Sequence, residues 1–220
     1  MYNPFPFDDP KPVNRPALSK ETIDSIVAGG TPNVAKKFVA QIADRVRTEG
    51  VIVGIDGYTT ANWNLFVNLL ARECVINGFE FETVDANKAT LKSGKEIDDM
   101  IDPLLIWDTK IDPTLLYGKL YHGGYIGLLD QEKMEQFRKD VPAMKTPGKL
   151  VVVAGYGSMI AELRDLYDVK CWFDITPMKT MLRIRGGEYS NLGKEHPGII
   201  NRTIRRCYYC DFECAVQLRK

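Results

Sequence analysis

The stretch DGYTTANWN, residues 56–64, places a glycine, three hydroxyls and two side-chain amides between an apolar run and a helical one. That arrangement suits an anion. A phosphate loop has the form G-x-x-x-x-G-K-[ST] between a strand and a helix, its glycines letting backbone N–H groups converge on phosphate oxygens. Its Lys neutralises phosphate charge and its hydroxyl holds magnesium. Counted from Gly57, the second Gly is replaced by Asn62, the Lys by Trp63 and the Ser/Thr by Asn64. A helix N-terminus here still offers free N–H groups and partial positive charge. Thr59 and Thr60 are candidate hydroxyl donors, Asn62 tolerates the left-handed conformation, and Asn64 is a weak candidate ligand for magnesium. Trp63 cannot replace the ammonium, and a charge missing from a phosphoryl transition state costs about 3–4 kcal/mol. Its ring either packs in the core or stacks on a base or sugar.

The elements around this loop alternate. A helix opens at Ser19, its N-cap, and stops near Gly29 and Gly30; a second spans about 33–47 with Val34, Phe38, Ile42 and Val46 on one stripe. VIVGI, residues 51–55, is a continuous apolar strand of the kind buried on both faces of a parallel sheet. A helix over 62–76 leads to a strand over 79–84, and the capping box SGKE (93–96) opens a short helix. Residues 102–129 are rich in Gly, Pro and Tyr and carry no clear pattern. Asp130 caps a polar helix to about Lys139, and KLVVVAG (149–155) is the second strongly apolar strand. A helix over 158–166, a strand over 170–175, a helix capped by Thr176 with Pro177 first inside it, a helix toward Arg206 and a last strand at CYYCDF complete the chain. Strands alternating with helices imply an α/β fold with a mostly parallel sheet and helices on both faces. Ligands in such sheets sit outside the carboxyl ends of the strands, here the loops after Ile55, Val84, Ala154 and Ile175. Residues 1–18 read as an N-terminal arm and 19–220 as one domain without repeat or linker.

Twenty-nine basic residues balance twenty-nine acidic ones among 220, which points away from nucleic acid and anionic membrane surfaces. No run of about 18 apolar residues predicts a membrane span, and the first sixteen residues lack a signal-peptide layout, so a cytoplasmic protein is expected. Five cysteines without an export signal argue for reduced thiols. Cys207, Cys210 and Cys214 form either half a metal site or the inward face of a strand. Zinc is not expected, because a closed site needs four ligands and the two histidines, His122 and His196, lie far off in sequence.

GIDGYTTANWNLF resembles the GIDGxSGSGKTT opening of the uridine-kinase and phosphoribulokinase group of P-loop kinases. KLVVVAGYGSMIAELRDLYDVKCWFDITPMKTMLRIRGG is similar to that group's later segment, although Ala154 stands where the group has Glu. The resemblance implies a three-layer P-loop NTPase fold of the nucleoside-kinase type, with ATP and Mg2+ as cofactors. It also implies a carboxylate after the second strand, Asp85, that helps activate a substrate hydroxyl, with Asp56 beside the loop, and lid arginines, Arg183 and Arg185, over the phosphates. Asp85 is equally suited to capping a helix, and the two arginines to a solvated helix end. The whole chain also resembles the kinase-like extension ahead of some bacterial class I mannose-6-phosphate isomerases, on KSGKEIDDMIDPLL and RRCYYCDFECAVQLRK. That implies a link to sugar-phosphate metabolism and an isomerase domain following in a longer protein.

Three functions compete. With the loop Lys and the later Glu both missing, a degraded kinase that binds nucleotide or phosphosugar without transferring phosphate is favoured. The second is an active small-molecule kinase in which Lys88, Lys92 or a lid Arg replaces the loop Lys. The third is a structural interaction domain whose pocket Trp63 fills.

Overall fold

The computed structural model describes residues 17, 19–25, 30–108, 110–114 and 117–219. The arm expected over 1–18 lies, but for Ala17, outside them. Four strands form the sheet: β1 (Val51–Gly57), β2 (Glu80–Asp85), β3 (Lys149–Ala154) and β4 (Val169–Phe173). Their order is β2-β3-β1-β4, every pairing parallel. Because β3 lies between β1 and β2 while β4 lies beyond β1, the chain reverses direction across the sheet at the β1–β3 boundary, where the strand ends open a crevice.

Side chains alternate across the sheet and divide the core in two. Val51, Val53 and Ile55 of β1, with Leu150 and Val152 of β3, face α2 (Thr31–Glu49) and α3 (Asn64–Asn77). Ile52, Val151 and Val153 face the other way, toward α5 (Gly94–Ile101), α6 (Gly124–Leu128) and α7 (Gln131–Ala143). Helices therefore cover both faces. Their starts follow from their caps: Ser93 and Glu96 form the reciprocal capping box of α5, Asp130 caps α7, and Thr176 caps α8 (Pro177–Arg185). The helix opening at Ser19 begins as expected, α1 spanning Lys20–Ser25 with the Thr22 amide donating to the Ser19 hydroxyl. Short α4 (Ala86–Thr90) directly follows β2.

Two expectations fail. The helix expected over 158–166 is a run of turns ending in a 3-10 turn at Arg164–Leu166. Its start is fixed instead by Gly157, at φ +82, and by Asp56, which accepts the Met159 amide. The strand expected at CYYCDF is helical. α9 (Ile200–Arg206) runs through a π-turn at Cys207–Asp211 into α10 (Phe212–Arg219). Cys207, Cys210 and Cys214 are all fully buried, Cys207 with Ile184 and Tyr189 and the other two in the core beneath the sheet. The cysteine spacing i, i+3, i+7 is helical and overrides the strand alternation read along RCYYCDF.

Candidate functional site

Gly57 ends β1 against β4, where a Cβ would sit 2.5 Å from the Phe173 carbonyl oxygen, so only glycine permits this strand spacing. The chain then turns at once, the Ala61 amide donating to the Tyr58 carbonyl at 2.8 Å. Thr60 completes the turn at φ +71, a left-handed conformation that costs a β-branched residue about 1–2 kcal/mol. Asn62, the residue expected to take that conformation, instead accepts the Asn64 amide with its Oδ1 at 2.8 Å, in a local side-chain turn that leads into α3.

The rest of the molecule holds this loop shut. Arg183 donates to the Thr60 carbonyl at 2.6 Å and Tyr156 donates its hydroxyl to the Ala61 carbonyl at 2.9 Å. The Thr180 hydroxyl donates to the Thr59 carbonyl, and the Thr59 hydroxyl in turn to the Asp211 carbonyl at 3.2 Å. Tyr58 stacks on Phe212 with ring centres 6.1 Å apart, so the π-turn and the start of α10 support the loop from below. Trp63 is half-buried among aromatics, edge-on to Tyr156 at 4.9 Å and to Phe173 at 6.4 Å. Thr59 and Thr60 are buried, whereas Asn62 and Asn64 are exposed.

The two carboxylates have different surroundings. Asp56 is fully buried, one oxygen accepting the Gly57 and Gly157 amides at 2.7 and 3.1 Å and the other the Met159 amide at 2.9 Å. Burial pushes its pKa up to about 7 against the pull of those three donors. It thereby ties β1 to the turn after β3. Asp85 is exposed at the end of β2, where Oδ1 caps α4 by accepting the Lys88 amide at 3.0 Å. No described residue engages its Oδ2. Arg183 also reaches Glu188 at 3.7 Å. Arg185, by contrast, is exposed at the end of α8 and borders neither cleft described next.

Two clefts meet at the carboxyl ends of the strands. The narrower, 290 Å³, lies over the loop between Trp63, Asp85, Gly155, Arg183 and Glu188. Among its charged residues one guanidinium faces two carboxylates, a poor field for a polyphosphate. The wider, 810 Å³, lies on the β2 side between α4, α7 and the segment 190–196. Asp85, Asn87 and Tyr156 border both. Asn87 joins the two walls, its Oδ1 accepting the Tyr156 amide at 2.9 Å and its Nδ2 donating to the Tyr156 carbonyl at 2.7 Å. The wider cleft was only half visible in the sequence: Lys88 and Lys92 stood out, but Lys133 and Lys194 come from distant segments and carry no local signal. Among the described residues, no group of three or more His, Cys, Asp or Glu side chains is placed to hold a metal ion. No helix among them is long and apolar enough to cross a membrane.

The fold has solved relatives. A "putative fructose transport system kinase" from Silicibacter sp. TM1040 superposes over 87% of this chain and 95% of its own, with a TM-score of 0.57 at 11% identity. At that identity the likeness is one of fold, and it makes this architecture kinase-like, of the P-loop type. Rif2, solved in complex with the C-terminal domain of Rap1, superposes at a TM-score of 0.36 and 8% identity, over 84% of this chain and 65% of its own, which carries no further argument. No curated protein matches the chain in sequence. A family model described as a domain of unknown function, DUF8485, matches residues 35–220, and the chain belongs to that family.

Proposed function

We propose that this chain is a kinase-like binding domain that does not transfer phosphate, linked to sugar-phosphate metabolism. One observation carries the reading: the groups that would cradle a polyphosphate are already engaged within the protein. Arg183, the expected lid cation, holds the Thr60 carbonyl, and the Asn64 amide at the helix start is taken by Asn62. The residues present do not fit a magnesium-bound triphosphate. The loop has Trp63 in place of an ammonium, and in the narrow cleft over it the guanidinium of Arg183 is outnumbered by the carboxylates of Asp85 and Glu188. Asp56 cannot serve as an accessible base while both its oxygens accept buried amides.

The test is an equilibrium titration with ATP and GTP, with and without magnesium, followed by tryptophan fluorescence and paired with a phosphoryl-transfer assay on sugars and nucleosides. Trp63 borders the loop cleft, so occupancy there alters its emission. No saturable magnesium-dependent change up to millimolar nucleotide, and no transfer, is expected. Magnesium-dependent saturation with turnover lost in Asp85→Asn would overturn the reading. Such a result would make Asp85, which stands where the two clefts join, the base of an active kinase.

A further inference from the structure

The wider cleft is lined by lysines that form no contact ion pair among the described residues. Lys92 is half-buried, yet its ammonium has no carboxylate partner: it donates to the Gly127 carbonyl at 2.6 Å and lies 3.9 Å from the Met100 sulfur. Lys133 reaches across from α7 to the Leu91 carbonyl at 2.9 Å, again without an ion pair. Lys88 projects from α4 with no side-chain partner among the described residues. Each ammonium has three donors, so the two tethered lysines keep donors to give. Lys194, on the opposite wall, is by contrast neutralised by Asp98. Three such lysines against two lining carboxylates, Asp85 and Glu195, leave the cleft net positive, a field that favours an anion.

The cleft also supplies groups that suit hydroxyls. Asp85 Oδ2, Ser190 and Glu195 border the cavity as acceptors or donors for alcohols. Of its two ring side chains, Tyr156 is already packed edge-on to Trp63 and Tyr189, which leaves a nucleobase only the small, exposed imidazole of His196. We infer that the wider cleft binds a phosphate monoester of a small polyhydroxy compound, the phosphate on Lys88, Lys92 and Lys133 and the hydroxyls toward Asp85 and Ser190. A hexose monophosphate has the size and chemistry required. The inference deepens the binding reading above but does not depend on the loop being unable to take nucleotide.

Isothermal titration of the full chain with glucose 6-phosphate, fructose 1-phosphate, the unphosphorylated hexoses, inorganic phosphate and AMP tests it. At least one hexose phosphate is expected to bind about tenfold or more tightly than its parent hexose, inorganic phosphate or AMP, with affinity falling as salt rises. Lys92→Met and Lys133→Met should each weaken it about tenfold or more, and Lys92→Arg should restore most of the loss. Arg185→Met, remote from the cleft, should change nothing, and thermal melts check that every variant folds. Absence of binding at millimolar hexose phosphate, equal binding of inorganic phosphate, preference for AMP, or indifference to the lysine variants would each overturn the inference. Magnesium-dependent phosphoryl transfer from nucleotide with normal hexose-phosphate binding would instead overturn only the non-transferring reading.

Discussion

Asp56 offers a sharp test of how the loop is held, because two physical effects compete at one carboxylate. Three amide donors at 2.7–3.1 Å favour the charged form, while complete burial favours the neutral one. If burial wins, the folded-state pKa stands near 7 against an ordinary value of 3.8. The folded state then holds a proton that the unfolded chain releases between those values. Stability from this group is therefore fully present below about pH 4 and is lost as the pH climbs through 7. At about 1.4 kcal/mol per pH unit, the interval from 3.8 to about 7 amounts to about 4 kcal/mol, an upper figure for so buried a site. Asp56→Asn keeps the shape and removes the titration. Denaturant unfolding of both proteins from pH 4 to 8 gives the difference between wild type and variant, in which other titrating groups largely cancel. That difference should move in the variant's favour by up to about 4 kcal/mol as pH rises. A flat difference, or one moving in favour of the wild type, would mean that the three amides dominate and that the argument from burial is wrong.

Two further substitutions probe the surroundings. Thr60→Gly relieves the left-handed strain and deletes a buried hydroxyl that has no partner, so thermal denaturation should show a gain of about 1 kcal/mol despite glycine's greater chain entropy; a loss would show the turn to be unstrained. Asp98 is partly buried, which works against its charge, but Lys194 and Arg206 prevail and hold its carboxyl below the usual range. Its contribution is present above about pH 4 and disappears as pH falls through the lowered value. Asp98→Asn removes the partner at 2.5 Å from Arg206, a side chain only 4% exposed, and should cost about 3 kcal/mol at pH 7 and progressively less as the pH falls below about 4, measured by denaturant titration.

The centre of the sheet was legible because its two inner strands are largely apolar: Val51–Gly57 and Lys149–Ala154 have nearly every residue buried, and only a strand covered on both faces can be so. The caps at Ser93, Asp130 and Thr176 were legible because capping is local chemistry. The loop's closure was not, since Arg183 and Tyr156 lie more than ninety positions from the carbonyls they hold. Trp63 shows the limit from the other side: its replacement of a lysine is plain in the sequence, but whether its ring packs or waits for a ligand is decided by Tyr156 and Phe173, which sequence spacing cannot bring together. The C-terminal strand was misread because tyrosines and phenylalanines favour strands until packing overrides them, and the cysteine spacing was the local signal against it.

The π-turn at Cys207–Asp211 adds, in effect, one residue to an otherwise continuous helix. Each residue of an α-helix advances the side chains by about 100°, so the turn sets the rotational phase of everything after it. With the extra residue, Phe212 comes round to Tyr58 and Cys214 to the core. Removing one residue from 207–211 would leave the helix just as long and just as apolar to within a residue. Its last two turns would nevertheless point in the wrong direction, and the loop at residues 58–60 would lose its support with no change made to the loop itself. In this fold the shape of the strand-end crevice is indexed from the far end of the chain, by a count of residues rather than by their identity.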